Sequence, residues 1–258
     1  MTHPQEAEIG TFVWYDLRTR AADRAWRFYS EWLGWGRQEA DRPGGPYAVI
    51  RHATRDLGGI VPIDAEDRLR PHWIGYVSVP DADAAAKAAS AAGGRVVLPP
   101  TTVEGICRFT VILDPHGAAF SPFHWERRPD PLLPVQAGCF CWSELLTPDP
   151  ETSARFYEQV LGWTAEPGRP GAYDAYWLFR RGGRALAGML RRERGADFRP
   201  QWLHYLQVED VEAASSRARA LGAALHVPPT DIPDIGRFAV IDDPGGAKVA
   251  IFAGNAPR

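Results

Sequence analysis

Short runs of alternating apolar and polar residues, broken by stretches of helical spacing, follow one another along this chain, and the whole series occurs twice. GTFVWYDL at 10–17 and GCFCWSEL at 138–145 read as opening strands. Residues 21–33 then set Trp26, Phe28, Tyr29, Trp32 and Leu33 at spacings near three and four, and residues 150–161 do the same with Phe156, Tyr157, Val160 and Leu161, as one-sided helices do. Asp149-Pro150 has the form of an N-cap followed by proline at the first helical position, while Gly34 and Gly162 stand where a helix end wants a left-handed residue. Alternating segments at 46–52 and 175–181, then 58–63 and 186–190, read as strands of a small antiparallel sheet, with 36–46 and 164–174 as loops.

The second part of each half repeats that order. HWIGYVSV at 72–79 and QWLHYLQV at 201–208 are strands, and the Ala-rich stretches 81–94 and 209–223, begun by acids and closed at glycine, are helices. RVVL, CRFTVIL and AAFSPF, with their counterparts ALHV, GRFAVID and AKVAIF, supply three further strands each. Every half is therefore βαβββ followed by βαβββ. WRFYSEWLGW at 26–35 returns as ARFYEQVLGW at 154–163, and RFTVILDPHG at 108–117 returns as RFAVIDDPGG at 237–246. Phe28 and Phe156 are 128 apart, whereas Asp81 and Asp210, and Arg108 and Arg237, are 129 apart, so the register is kept across a whole half. A period this long implies a duplicated domain rather than a solenoid. The proline-rich stretch 128–136 is the natural linker between a first domain at 1–127 and a second at 137–258.

Composition narrows the partners. The 258 residues are 45% apolar with ten tryptophans, enough for one or two packed cores. Twenty-nine basic against thirty-two acidic residues give a net charge of -3 with no basic stripe, which argues against nucleic acid. No apolar stretch approaches the roughly 18–20 residues of a membrane span, and the N-terminus lacks the pattern of a signal peptide, so a cytoplasmic protein is expected. Cys107, Cys139 and Cys141 read as small core or strand residues.

The βαβββ order taken four times, with FY-x4-LGW in the first helix of each half and DP-x-G in its last hairpin, resembles the vicinal oxygen chelate superfamily of glyoxalases, extradiol dioxygenases, fosfomycin-modifying enzymes and bleomycin-binding proteins. The resemblance runs from about residue 9 to about 253. It implies an α+β fold of tandem glyoxalase-like domains, two curved antiparallel sheets each with a cleft, and a monomer or a homodimer. It also implies where a metal would be held: on the first strand, on the first strand of the second module, and on the last strand. Those positions fall on Trp14, Ile74 and Ser121 in the first half, and on Trp142, Leu203 and Ala250 in the second. None offers the imidazole or carboxylate that a divalent ion needs there, so no metal and no cofactor are expected. A two-residue slip would bring His72 to the second position, giving a single donor.

Alternation places Phe12, Trp14 and Asp16 on one strand face, and Phe140, Trp142 and Glu144 on its counterpart. The same parity selects Tyr76 and Ser78, Tyr205 and Gln207, Ser121 with Phe123, and Ala250 with Phe252; Tyr47 and Tyr176 occupy matching middle strands. An acid beside a large aromatic suits a flat ligand bearing a donor or a cation. The expected ligand-binding residues are thus Trp14, Tyr47, His72, Tyr76, Ser121, Phe123, Trp142, Tyr176, Tyr205 and Gln207. Asp16 and Glu144 are candidate general acids or bases. Arg108 and Arg237 could anchor an anion or pair with these acids, but arginine on such a strand more often faces solvent. DP-x-G is a turn, with His116 expected at the surface. The leading function is binding of a small aromatic or amphipathic molecule for sequestration, resistance or sensing. A metal-independent isomerase, lyase or hydrolase is the second, and a metal-dependent glyoxalase or dioxygenase the third.

Overall fold

The computed structural model describes residues 8–42, 45–64, 66, 69–126, 135–167, 176–193, 195 and 198–255. Most of the proposed linker, 128–134, lies outside them. The first half runs β1 (Phe12–Thr19), α1 (Ala22–Leu33), β2 (Gly36–Arg42), β3 (Gly45–His52), β4 (Arg55–Pro62), β5 (His72–Ser78), α2 (Ala82–Ala91), β6 (Arg95–Val103), β7 (Cys107–Leu113) and β8 (Ala119–Trp125). The second repeats it with β9 (Phe140–Thr147), α3 (Pro150–Leu161), β10 (Thr164–Pro167), β11 (Tyr176–Arg181), β12 (Arg184–Arg191), β13 (Gln201–Gln207), α4 (Val211–Ala220), β14 (Ala224–Ile232), β15 (Gly236–Asp242) and β16 (Lys248–Gly254).

The predicted helices form, and their caps explain their ends. The Asp149 carboxylate accepts the N–H of Thr152, Pro150 opens α3, and Gly34 and Gly162 close α1 and α3 at φ 72° and 66°. Two segments expected as loops contain strands, β2 and β10. Both are short, polar edge strands with no apolar alternation to announce them, and each is held by its hairpin partner. The result is two eight-stranded sheets of order β2-β3-β4-β1-β5-β8-β7-β6 and β10-β11-β12-β9-β13-β16-β15-β14. Hairpin neighbours pair antiparallel. Where a module's last strand returns beside its first, as β4 beside β1 and β8 beside β5, the pairing is parallel.

The chain folds into two compact units, and each unit takes one module from each half. The first holds the described parts of 1–14, 74–133 and 142–202; the second those of 15–73, 134–141 and 203–258. In the first, α2 packs on α3; in the second, α1 packs on α4. The sequence motifs meet in these cores. In the first unit Trp202 Nε1 donates to Tyr157 Oη at 2.9 Å, and Tyr157 donates to Asp114 Oδ2 at 3.2 Å. Asp114 Oδ1 accepts the N–H groups of His116, Gly117 and Ala118 at 2.8–2.9 Å. In the second unit Trp73 donates to Tyr29 and Tyr29 to Asp243 Oδ2, both at 3.1 Å, and Asp243 Oδ1 takes the N–H groups of Gly245 and Ala247. The tyrosine of FY-x4-LGW from one half thus bonds the aspartate of DP-x-G from the other. Burial raises the pKa of both aspartates, and raises both tyrosines well above the usual phenol value. His116, expected at the surface, is half-buried by this packing.

The LGW tryptophans are core residues: Trp163 and Trp35 are buried, stack on Tyr157 and Tyr29, and donate to the carbonyls of Gly10 and Gly138. The expectation that Phe12 and Phe140 share a face with Trp14 and Trp142 does not hold. Phe12 packs on Trp202 at 5.1 Å and Phe140 on Tyr15 at 3.8 Å, inside the helix-covered cores. Each opens its strand, where alternation is least constrained, and the apolar area gained among aromatic rings outweighs it. The three cysteines are free thiols; burial pushes Cys141 up to about 12, which leaves it unreactive.

His204 on β13 is fully buried against the rings of Tyr15 and Phe140. Burial first, then the neighbouring His72, depress its pKa to about 3. Its folded pKa lies below the unfolded value, so the neutral ring favours folding above about pH 6.5, and that advantage is lost as pH falls from there toward 3. The loss expected by pH 4 is on the order of 3 kcal/mol. Chemical denaturation from pH 7 to 4 should show that slope in the wild type and a flatter one in His204→Gln; identical slopes would show that His204 does not govern acid stability.

Candidate functional site

The acids predicted on the first strands are both held by tyrosines. In the first half Tyr47 on β3 donates to Asp16 Oδ1 on β1 at 2.6 Å, and both side chains are buried. In the second, Tyr176 on β11 hydrogen-bonds Glu144 on β9, and its hydroxyl also accepts from Trp142 Nε1 at 3.1 Å. Burial, then the Glu144 charge, raise the Tyr176 pKa far above the usual phenol range, so the phenol stays protonated and donates. Trp142 and Tyr176 are half-buried, so this group can meet a solute.

A glycine makes room for each tyrosine. Gly59, the register partner of Asp16, and Gly188, the partner of Glu144, stand directly beneath the phenols. A Cβ on Gly59 would lie 2.2 Å from Tyr47 Oη, and one on Gly188 would lie 1.9 Å from Tyr176 Oη. Sequence reasoning passes over these glycines, although Gly59 and Gly188 keep the same spacing of 129 as Tyr47 and Tyr176. The repeated constellation is therefore Trp-x-acid, Tyr and Gly.

The other predicted positions form aromatic clusters. On β5, β7 and β8, Tyr76 packs on Phe109 and Phe123, each at 5.8 Å, and Phe123 and Trp14 both meet Trp125 edge-on. Ser121, opposite Tyr76, donates to the Thr110 carbonyl at 2.7 Å. On β13, β15 and β16, Tyr205 lies 6.4 Å from Phe238 and opposite Ala250, and Phe238 faces Phe252 in register. The Gln207 amide donates to the Val208 carbonyl. His72 at the head of β5 has Nδ1 2.8 Å from the Arg70 carbonyl, and its pKa is lowered by burial.

Arg108 and Arg237 join neither acid. Arg108 pairs with Asp83 in the first turn of α2, and Arg237 with Glu212 in the first turn of α4 and with Asp231. At the positions where the resemblance puts metal ligands stand Trp14, Ile74 and Ser121, and Trp142, Leu203 and Ala250, whose side chains are apolar, indole or hydroxyl. Among the described residues, no three His, Cys, Asp or Glu side chains gather as a metal group would require.

Comparison with known proteins matches both halves to one family. The model of the Glyoxalase/Bleomycin resistance protein/Dioxygenase superfamily matches residues 11–121 and 140–251. A Mycobacterium tuberculosis protein named "Putative glyoxylase CFP32" is 32% identical over 256 residues, covering 98% of each chain. The "Anthracycline biosynthesis protein DauV" of Streptomyces sp. (strain C5) is 31% identical over 260 residues, covering 94% of this chain and 92% of its own. The 2,3-dioxygenase LapB of Pseudomonas sp. KL28 shares the fold at a TM-score of 0.63 and 14% identity, over 97% of this chain and 95% of its own. The Mn(II)-bound glyoxalase of Novosphingobium aromaticivorans does so at 0.64 and 13%, over 95% and 82%. With each half matched in register and relatives aligned along its length, the chain belongs to the glyoxalase/bleomycin resistance protein/dioxygenase superfamily.

Proposed function

We propose that this protein binds a small aromatic or amphipathic molecule at the Trp142–Tyr176–Glu144 group of its second half, without a metal held in the family's manner. The observation that carries the reading is the chemistry of the substituted positions. Indole, isobutyl and methyl groups at 142, 203 and 250 cannot coordinate a divalent ion, while a half-buried tryptophan beside a tyrosine–carboxylate pair suits a flat ligand with a hydroxyl or amine. A carboxylate accepts such a proton and the indole face covers the ring. Two relatives are named for anthracycline biosynthesis, which supports a place in small-molecule metabolism.

Catalysis without a metal is the second reading, favoured by the Tyr176–Glu144 hydrogen bond. Glu144 would take a proton from a bound substrate, with Tyr176 steadying the charge of the carboxylate. Asp16, paired with Tyr47, would be its counterpart in the first half.

Native mass spectrometry of protein purified without chelator, alone and with 2-naphthol, tests the proposal. The expected result is a protein without stoichiometric transition metal that forms a complex with one 2-naphthol. A stoichiometric metal ion would sink the reading in favour of a metal-dependent glyoxalase or dioxygenase. Once a turned-over substrate is in hand, Asp16→Asn and Glu144→Gln separate the two metal-free readings: loss of turnover with binding kept marks an enzyme, and unchanged turnover in both removes the carboxylates from the chemistry.

A further inference from the structure

The aromatic clusters of the two halves are built from the same three rings in register: Tyr76, Phe109 and Phe123 recur 129 residues later as Tyr205, Phe238 and Phe252. They differ at the next position of the last strand. The first half has Trp125 and the second has Gly254, again 129 apart.

In the first half the indole of Trp125 completes the cluster. It stands edge-on to Phe123 at 4.5 Å and 85°, and to Trp14 at 6.4 Å and 87°. In this cluster Trp14, Tyr76 and Phe123 are only 9%, 8% and 5% exposed. In the second half Tyr205 is as buried as Tyr76 and Phe238 half-buried like Phe109, but Phe252, the counterpart of the buried Phe123, is half-buried. Beside them Gly254 faces Gly236 across the β15–β16 ladder, so two facing chain positions carry no side chain. A Cβ on Gly254 would find no atom nearer than 3.7 Å, the edge of the Phe252 ring, which is ordinary contact. A Cβ on Gly236 would lie 2.8 Å from Phe252 Cε2, so Phe252 leans over this glycine pair. One phenyl edge lies where the first half holds an indole.

We infer that Trp125 is a built-in occupant of the first half's aromatic subsite, and that the equivalent place beside Gly254 receives a flat, bicyclic aromatic ring from a ligand. This rests on the reading of the protein as a binder of small aromatic molecules, and adds two particulars. The ring system is indole-sized, because an indole is what stands edge-on to Phe123 and Trp14 in the other copy. The chain takes one such ring, because the first copy is already filled. Phe252 turns from the glycine pair toward the orientation of Phe123 as the ring enters, and edge-to-face contacts replace its exposure.

The test is a reciprocal swap. Wild type, Trp125→Gly, Gly254→Trp and the double variant are titrated with 5-fluoroindole, with binding read by fluorine NMR and stoichiometry by native mass spectrometry. Wild type is expected to bind one equivalent, and Gly254→Trp to weaken that binding about ten-fold or more by filling the place with its own ring. Trp125→Gly is expected to bind two equivalents, the second in the space its indole leaves. The double variant, with the first place emptied and the second filled, is expected to bind one. Gly254→Trp introduces a side chain where the backbone has room, so an unchanged thermal midpoint serves as its folding control. If wild type and Gly254→Trp bind 5-fluoroindole alike, the subsite is overturned while the ligand-binding reading stands. If wild type binds neither 5-fluoroindole nor 2-naphthol, both fall.

Discussion

Asp114→Ala is expected to lower the unfolding free energy by about 3–5 kcal/mol, the cost of leaving two buried donors without an acceptor at about 1–3 kcal/mol each. Oδ1 of this carboxylate accepts three backbone N–H groups of the DP-x-G turn, and its other oxygen accepts the buried Tyr157 hydroxyl. Alanine strands the buried Ala118 N–H and Tyr157 hydroxyl, where water cannot replace the acceptor, while the Gly117 N–H keeps the carbonyl of residue 114. The conservative variants divide the effect. Asp114→Asn keeps an acceptor for the turn and should cost less than half as much, and Tyr157→Phe, which removes one hydroxyl but leaves Trp202 Nε1 without its acceptor, about 1–3 kcal/mol. Against a total near 5–15 kcal/mol, the alanine variant stands close to global unfolding at physiological temperature. Urea denaturation followed by tryptophan fluorescence checks the order; an alanine variant within about 1 kcal/mol of wild type would show that the backbone alone holds the turn.

Gly188→Ala is expected to cut affinity for 2-naphthol by about ten-fold or more, with a stability cost near 1–3 kcal/mol. The new methyl would stand 1.9 Å from Tyr176 Oη and 3.1 Å from Trp142 Nε1. The first distance cannot persist, and the tyrosine must leave, giving up its bonds to Glu144 and Trp142 together. Gly59→Ala makes the same collision with Tyr47, at 2.2 Å. Its expected effect is a similar stability loss with 2-naphthol affinity unchanged, since the proposed binding group belongs to the second half. Isothermal titration of both variants separates the outcomes. Equal loss of affinity in the two would place binding in the first half as well, and no loss in Gly188→Ala would remove Tyr176 from the site.

The chain's own pattern discloses the duplication, the helix ends and the Trp-x-acid strands, because those signals are local: a cap, a left-handed glycine, a residue two positions on. It also marks DP-x-G and FY-x4-LGW as recurring, yet within one half DP-x-G reads only as a turn. That Asp114 holds Tyr157 and Asp243 holds Tyr29 is a contact between the halves, which no spacing within one half can express. Alternation misplaces Phe12 and Phe140 for a related reason, since their surroundings are tryptophans distant in sequence. The glycines under Tyr47 and Tyr176 and the exchange of Trp125 for Gly254 are legible in principle, as paired positions 129 apart. What they do depends on which ring lies over them, and that is set by the sheet register.

The exchanged tyrosine–aspartate bonds also fix an order of assembly during synthesis. Tyr157 and Asp114 are 43 residues apart, and the unit they lock needs chain only as far as Trp202. Tyr29 waits for Asp243, 214 residues downstream. The helix carrying Tyr29 is therefore made long before the turn that buries its hydroxyl. Until then Trp32 lacks the α4 carbonyl of Ala214 that it bonds and Tyr29 lacks the DPGG turn, which makes the nascent first module a natural client for chaperones.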